Sequence, residues 1–96
     1  MAPTQDIPAV VVVRYWAGAR AAAGVAEERI EVSGPVRLDE LVRLAVGRHD
    51  PASGLERVLG VCSVLVDGTP VSSGDPAVVE VPPGAEVEFL PPFAGG

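Results

Sequence analysis

Val10-Val11-Val12-Val13-Arg14-Tyr15-Trp16 is an unbroken run of β-branched and aromatic residues around a single arginine, and it predicts the first strand. Its near-continuous apolarity places that strand at the centre of a sheet rather than at its edge. A second run, Glu86-Val87-Glu88-Phe89-Leu90, predicts the last strand. The apolar content of the two favours their lying side by side at the sheet centre. Periodicity does not decide whether the pair is parallel or antiparallel.

The residues between these runs fill in the rest of the sheet and one layer against it. Ala17 to Ala23 have the Ala/Arg composition of a short helix, and Gly24 stands where it should stop. Glu28-Arg29-Ile30-Glu31-Val32 alternates polar and apolar, as a strand with one face to water does, and Ser33-Gly34-Pro35 breaks it. Leu38, Leu41, Val42, Ala45 and Val46 then fall on one stripe of a helix. Asp39 and Glu40 lie in its first turn and Arg48 and His49 are read into its last, as the helix dipole favours. Arg37 stands where a Ser, Thr or Asp cap is wanted, a loss of about 1 kcal/mol.

Asp50 to Gly54 read as loop, and no feature is assigned between there and Leu59. Val61 to Val66 predict another strand, and Asp67-Gly68 turns it into a short return through Pro70 and Val71. Ser72 to Pro83 read as loop with room for a single turn about Ala77-Val78-Val79. The order of strand, strand, helix, strand, short return and strand predicts an α+β fold, with one main helix laid across a mixed sheet of four or five strands.

At 96 residues with 48% apolar content, the chain is expected to form one domain over 1–96 with one aliphatic core. Residues 1–8 are expected to be a flexible N-terminus and 91–96 an extended tail. The formal charge of −6 argues against nucleic acid or an anionic membrane as a partner and favours a basic protein. All seven basic residues are arginines, which removes Schiff-base chemistry and any isopeptide acceptor side chain. The single cysteine cannot close an internal disulfide, and no stretch reads as a signal or a membrane span, so a cytoplasmic location is expected.

The chemistry is concentrated in the last residues, Leu90-Pro91-Pro92-Phe93-Ala94-Gly95-Gly96. Pro91 and Pro92 cannot extend a hydrogen-bonded ladder and favour an extended arm. Six residues from Pro91 to Gly96 reach roughly 20 Å when extended, enough to enter a pocket of another subunit. Gly95 and Gly96, having no Cβ, can thread a slot too narrow for side chains and present a terminal carboxylate. Phe93 is a natural anchor at an interface.

This tail resembles the signature ending of the small subunit of molybdopterin synthase, one of the sulfur carriers with the β-grasp, or ubiquitin-like, fold. The opening Val13-Arg14-Tyr15-Trp16-Ala17-Gly18-Ala19-Arg20-Ala21-Ala22-Ala23-Gly24 and the stretch Val64-Leu65-Val66-Asp67-Gly68 are also similar to that family. The resemblance implies that the chain is not an enzyme by itself. It implies that an adenylating activating enzyme uses ATP and magnesium on the Gly96 carboxylate, and that a sulfur donor enzyme then leaves a thiocarboxylate there. No stably bound cofactor and no metal are implied. Ala94 and Gly95 would thread the partner's slot, and Pro91, Pro92 and Phe93 would contact the partner. That partner is the large subunit of molybdopterin synthase, where sulfur passes to a cyclic pyranopterin precursor. Thiazole or cysteine synthesis, and attachment of Gly96 to lysines of other proteins as a ubiquitin-like modifier, use the same tail chemistry.

Three other residue groups are read as structural. Cys62 in a valine-rich strand is a small hydrophobe rather than a sulfur relay. His49 has neither a Cys nor a second His to share a metal. Asp39 and Glu40 are adjacent on a helix and cannot face each other as an acid/base pair.

Overall fold

The computed structural model describes residues 9–72 and 74–92, so the expectations for residues 1–8 and for Phe93, Ala94, Gly95 and Gly96 lie outside the described residues. The described chain runs β1 (Ala9–Tyr15), α1 (Ala17–Ala23), β2 (Glu27–Val32), β3 (Val36–Arg37) and α2 (Leu38–Val46). A 3-10 turn (Pro51–Ser53), α3 (Leu55–Leu59), β4 (Ser63–Val66), β5 (Thr69–Pro70), a second 3-10 turn (Pro76–Val78), β6 (Glu80–Val81) and β7 (Glu86–Leu90) follow. Five strands form one sheet in the order β2-β1-β7-β4-β5, and β3 pairs with β6 as a separate ribbon.

The two apolar runs are neighbours at the sheet centre, and their pairing is parallel, with Val13 beside Val87 and Tyr15 beside Phe89. β1 pairs antiparallel with β2, and β7 antiparallel with β4. Strict alternation puts Val11, Val13 and Tyr15 of β1 and Val87 and Phe89 of β7 on the buried face. α2 covers that face with its predicted stripe, burying Leu38, Leu41 and Ala45 and half-burying Val42 and Val46. Leu41 is wholly buried, so truncating it to alanine would cost about 2–5 kcal/mol. This is the β-grasp arrangement, a mixed five-stranded sheet holding its main helix across one face.

Local signals account for several boundaries. Gly24 ends α1 in the left-handed region at φ 79°, its N–H bonding back to the Arg20 carbonyl. Asp67 and Gly68 both have positive φ, 50° and 81°, which matches a two-residue type I′ turn between Val66 and Thr69. Pro70 is tolerated because β5 is the outer strand of the sheet.

Arg37 does precede α2 without a side-chain cap. The first helical N–H, that of Leu38, instead bonds to the Val79 carbonyl at 2.8 Å, and Arg37 Nε bonds to Asp39 Oδ1 at 3.1 Å. A tertiary contact therefore meets part of the missing cap.

Four expectations need correction. α2 stops at Val46, so Arg48 and His49 lie past it; their N–H groups bond three residues back to Ala45 and Val46, tightening the chain into a turn. Residues 51–59 are not featureless: Asp50 Oδ1 caps the 3-10 turn through the Ala52 N–H, and α3 follows. β4 begins at Ser63, not Val61, because the N–H groups of Val61 and Cys62 bond to the Val58 and Leu59 carbonyls and continue the end of α3. Within Ser72–Pro83 the expected turn forms at Pro76–Val78, but Glu80–Val81 also pairs with Val36–Arg37.

Candidate functional site at the root of the C-terminal arm

β7 is the strand that becomes the arm, and both of its neighbours end where it does. On one side the last parallel pair is Tyr15 with Phe89, and the Trp16 N–H bonds to the Phe89 carbonyl at 3.2 Å. Ala17, at φ 49°, then turns the chain away into α1. On the other side the last pair is Ser63 with Leu90. Beyond Leu90 no ladder partner remains among the described residues, and Pro91 and Pro92 bring no N–H that could seek one. Pro91 is half-buried and Pro92 exposed, and neither is in a strand. The chain thus leaves the sheet from its central strand at Pro91.

The root is anchored from beneath. Phe89 is 1% exposed and stacks on Tyr15, ring centroids 6.4 Å apart. The His49 ring meets Tyr15 edge-on at 6.3 Å. Tyr15 donates its hydroxyl to Glu28 Oε1 at 2.7 Å, and His49 Nε2 lies 2.8 Å from the same oxygen. Arg48 Nε stands 3.5 Å from the other carboxylate oxygen. An ionised carboxylate only accepts, so Nε2 carries the proton in this contact.

Burial by itself would push the Glu28 carboxyl up. The hydrogen bonds from His49 and Tyr15 and the charges of His49 and Arg48 outweigh it and hold the group below the ordinary carboxylate range. Burial and the Glu28 partner push the Tyr15 phenol far above its ordinary value. The cluster is therefore a polar pillar under the arm: Glu28 stays ionised and Tyr15 stays protonated.

The opposite face of the sheet shows what surrounds the exit. Trp16, next in the alternation after buried Tyr15, lies on that face with 43% exposure, and its indole N–H donates to Glu88 Oε2 at 3.1 Å. Arg14 pairs with Glu86 and, at 3.6 Å, with Glu27. An exposed indole and the half-buried Leu90 and Pro91 thus rim the arm's exit.

Of the six residues read as the site, Pro91 and Pro92 follow β7 outside any strand, and Phe93, Ala94, Gly95 and Gly96 lie outside the described residues. Sequence reasoning missed Trp16 and Leu90 as the rim and the Tyr15–Glu28–His49 cluster as the anchor. The signal for Trp16 was present in the alternation of the first strand, but it becomes a neighbour of the arm only when β1 and β7 run parallel. Cys62 sits just before β4, half-buried, its thiol donating to the Val58 carbonyl at 3.2 Å. Burial pushes that thiol up to about 11, and a neutral thiol is a poor nucleophile. Among the described residues no group of three His, Cys, Asp or Glu could hold a metal ion, and no helix is long and apolar enough to cross a membrane.

Comparison with known proteins agrees with this geometry. No curated protein sequence gives a significant match. Small archaeal modifier protein 1 of Haloferax volcanii has a similar structure, with a TM-score of 0.73 and 22% identity over 91% of this chain and 99% of its own. A Pyrococcus furiosus protein assigned as subunit 1 of molybdopterin converting factor is 30% identical over 88% of this chain and 99% of its own, with a TM-score of 0.68. The complex of subunits 1 and 2 of molybdopterin-converting factor from Helicobacter pylori contains a chain matching 91% of this one and 99% of itself, at 23% identity and a TM-score of 0.60. The ThiS family model matches residues 13–96. The chain therefore belongs to the ThiS family, whose members are small sulfur-carrier subunits and not themselves catalysts.

Proposed function

We propose that this protein carries sulfur as a thiocarboxylate on Gly96 and delivers it to a cyclic pyranopterin precursor, as the small subunit of molybdopterin synthase. The observation that carries the reading is the release of the arm from the sheet centre at Leu90, with an exposed indole and two prolines at its exit. The 30% identity to the Pyrococcus furiosus subunit supports the choice of pathway.

The order of steps follows from acyl chemistry. A carboxylate anion is a poor electrophile, so an activating enzyme first joins the Gly96 carboxylate to the α-phosphate of magnesium-bound ATP and releases pyrophosphate. Sulfur from a donor enzyme then attacks the acyl carbon and AMP leaves with the bonding electron pair, giving the thiocarboxylate. That soft nucleophile attacks an electrophilic carbon of the precursor in the large subunit's pocket and displaces an oxygen leaving group; water then cleaves the acyl–sulfur bond, returning the carboxylate and leaving the sulfur on the precursor, and a second carrier supplies the second sulfur of the dithiolene. In this scheme ATP and magnesium belong to the activating enzyme. The chain's own residues do mechanical work: Phe89 and Tyr15 hold the root, Pro91 and Pro92 keep the arm extended, Phe93 anchors it, and Ala94 and Gly95 pass through a slot that a side chain larger than alanine's methyl group would obstruct. The large subunit, the activating enzyme and the donor are the partners this requires.

The test is to mix thiocarboxylated protein with a large subunit and the pyranopterin precursor, and in parallel with lysine-containing acceptor proteins. Consumption of the thiocarboxylate with formation of a dithiolene supports the reading. Covalent attachment of Gly96 to lysines, with no dithiolene, would replace it with the modifier reading.

A further inference from the structure

β2 is the terminal strand of the main sheet, and among the described residues nothing pairs with its outer edge. The Tyr15 N–H bonds to the Ala26 carbonyl, so the antiparallel register makes Glu28, Ile30 and Val32 the residues bonded to β1. The backbone groups of Glu27, Arg29 and Glu31 then point out to the free edge. A cleft of about 490 Å³ runs between this edge and the end of α2, lined by Arg29, Ile30, Glu31, Arg43, Leu44, Gly47 and Arg48.

Three of the seven arginines in a chain of net charge −6 therefore line one cleft. Neither Arg29 nor Arg43 has an ion-pair partner among the described residues, whereas Arg48 is partly engaged by Glu28. Leu44 adds an apolar wall and is 41% exposed.

We propose that this edge binds an extended acidic segment of a partner protein by strand addition. The alternating N–H and C=O groups of Glu27, Arg29 and Glu31 complement a peptide backbone, which a free anion lacks. Alternation sends the Arg29 side chain to the face of β2 away from α2, so Arg29 complements a carboxylate on one face of the added strand, while Arg43 and Leu44 meet a carboxylate and an apolar residue on the other. A second copy of this chain is a poorer occupant, because antiparallel pairing of two β2 edges about Arg29 sets Arg29 against Arg29 and Glu27 against Glu31. The overall negative charge opposes an acidic partner only weakly beyond the Debye length of about 8 Å at physiological salt, so the local arginines decide the contact. Glu31 lines the cleft and Glu27, paired with Arg14 at 3.6 Å, flanks Arg29 on its other side, so the edge selects against a segment with carboxylates directly opposite either of them. The edge lies two strands from β7, which leads to the arm, and its cleft touches the anchoring cluster only through Arg48, so one partner can hold both at once.

The test uses the full-length isotope-labelled protein, with and without Gly96, titrated with a capped synthetic peptide of valine and aspartate that carries aspartates at both odd and even positions, and so on both faces when extended. Shifts and slowed hydrogen exchange at the amides of Glu27, Arg29 and Glu31, with affinity reduced about tenfold by either Arg29→Glu or Arg43→Glu, are the expected result. Both arginines are exposed, and unchanged spectra of the far side of the sheet establish that the variants fold. Equal shifts produced by inorganic phosphate without amide protection would overturn strand addition in favour of a simple anion cleft. Shifts centred on Trp16 and Leu90, insensitivity to both charge reversals, or no shift at all would overturn it too. Persistence of the effect without Gly96 separates this surface from the carrier chemistry.

Discussion

Replacing Tyr15 by phenylalanine removes one oxygen from beneath the arm and leaves the ring in place. Tyr15 is 2% exposed, so the stacking on Phe89 and the edge contact with His49 survive. What is lost is the 2.7 Å hydrogen bond to Glu28. A hydrogen bond to a charged group contributes about 1.5–3 kcal/mol. The lower end applies here, because Glu28 keeps His49 at 2.8 Å and Arg48 at 3.5 Å and its side chain is still 14% exposed. With a urea slope of roughly 1.5 kcal/mol per molar, a loss of about 1.5 kcal/mol lowers the unfolding midpoint by about 1 M at neutral pH. The effect must also depend on pH. Glu28 is held below the ordinary carboxylate value in the folded protein. Its contribution is therefore present above the unfolded value and is lost as pH falls through the folded one. The penalty of Tyr15→Phe should shrink at pH values below the carboxylate range, where the protonated Glu28 accepts weakly. An unchanged midpoint at neutral pH, or the same penalty in acid, would refute the assignment of Glu28 as the ionised acceptor.

Trp16→Ala should cost less than about 1 kcal/mol of stability, since the indole is 43% exposed, yet weaken binding to a large subunit by roughly 30-fold in Kd if it is an interface anchor. Calorimetric titration beside thermal melting separates the two effects. Cys62 should be alkylated about 100-fold more slowly than a free thiol at neutral pH, because a rise from 9.0 to about 11 removes that factor of thiolate. Cys62→Ala should still accept sulfur at Gly96; failure to do so would restore a relay role. Gly95→Trp should fold normally but resist adenylation, read as pyrophosphate release, and full activity would refute the threading argument.

The parts of the fold that were legible in the sequence are those with enough residues to set a period. β1, α2 and β7 each carry a pattern long enough to read, and Gly24 and Asp67-Gly68 mark turns whose φ values require them. α3 escaped because five residues give only one repeat, Leu55 to Leu59, between two glycines. β3 and β6 escaped because a two-residue strand cannot alternate, and their pairing joins positions distant in the chain. The parallel pairing of β1 with β7 depends on the whole topology, and with it went the position of Trp16 beside the arm. The cluster of Tyr15, Glu28 and His49 was hidden for the same reason: His49 was placed in the last turn of α2, whereas the helix ends at Val46 and the following turn brings the ring to Tyr15. The reading of the tail rests on the backbone chemistry of its prolines and glycines, and its last four residues lie outside the described residues.

The central claim is tested most directly by the intact mass of the protein after incubation with ATP, magnesium, an activating enzyme and a sulfur donor, run beside a Gly96 deletion. The account predicts that the full-length chain exchanges one oxygen for one sulfur, that fragmentation places the exchange on Gly96, and that the deleted chain, though folded, shows none. Sulfur found on Cys62 instead of Gly96, or equal sulfur uptake by the deletion, would contradict it.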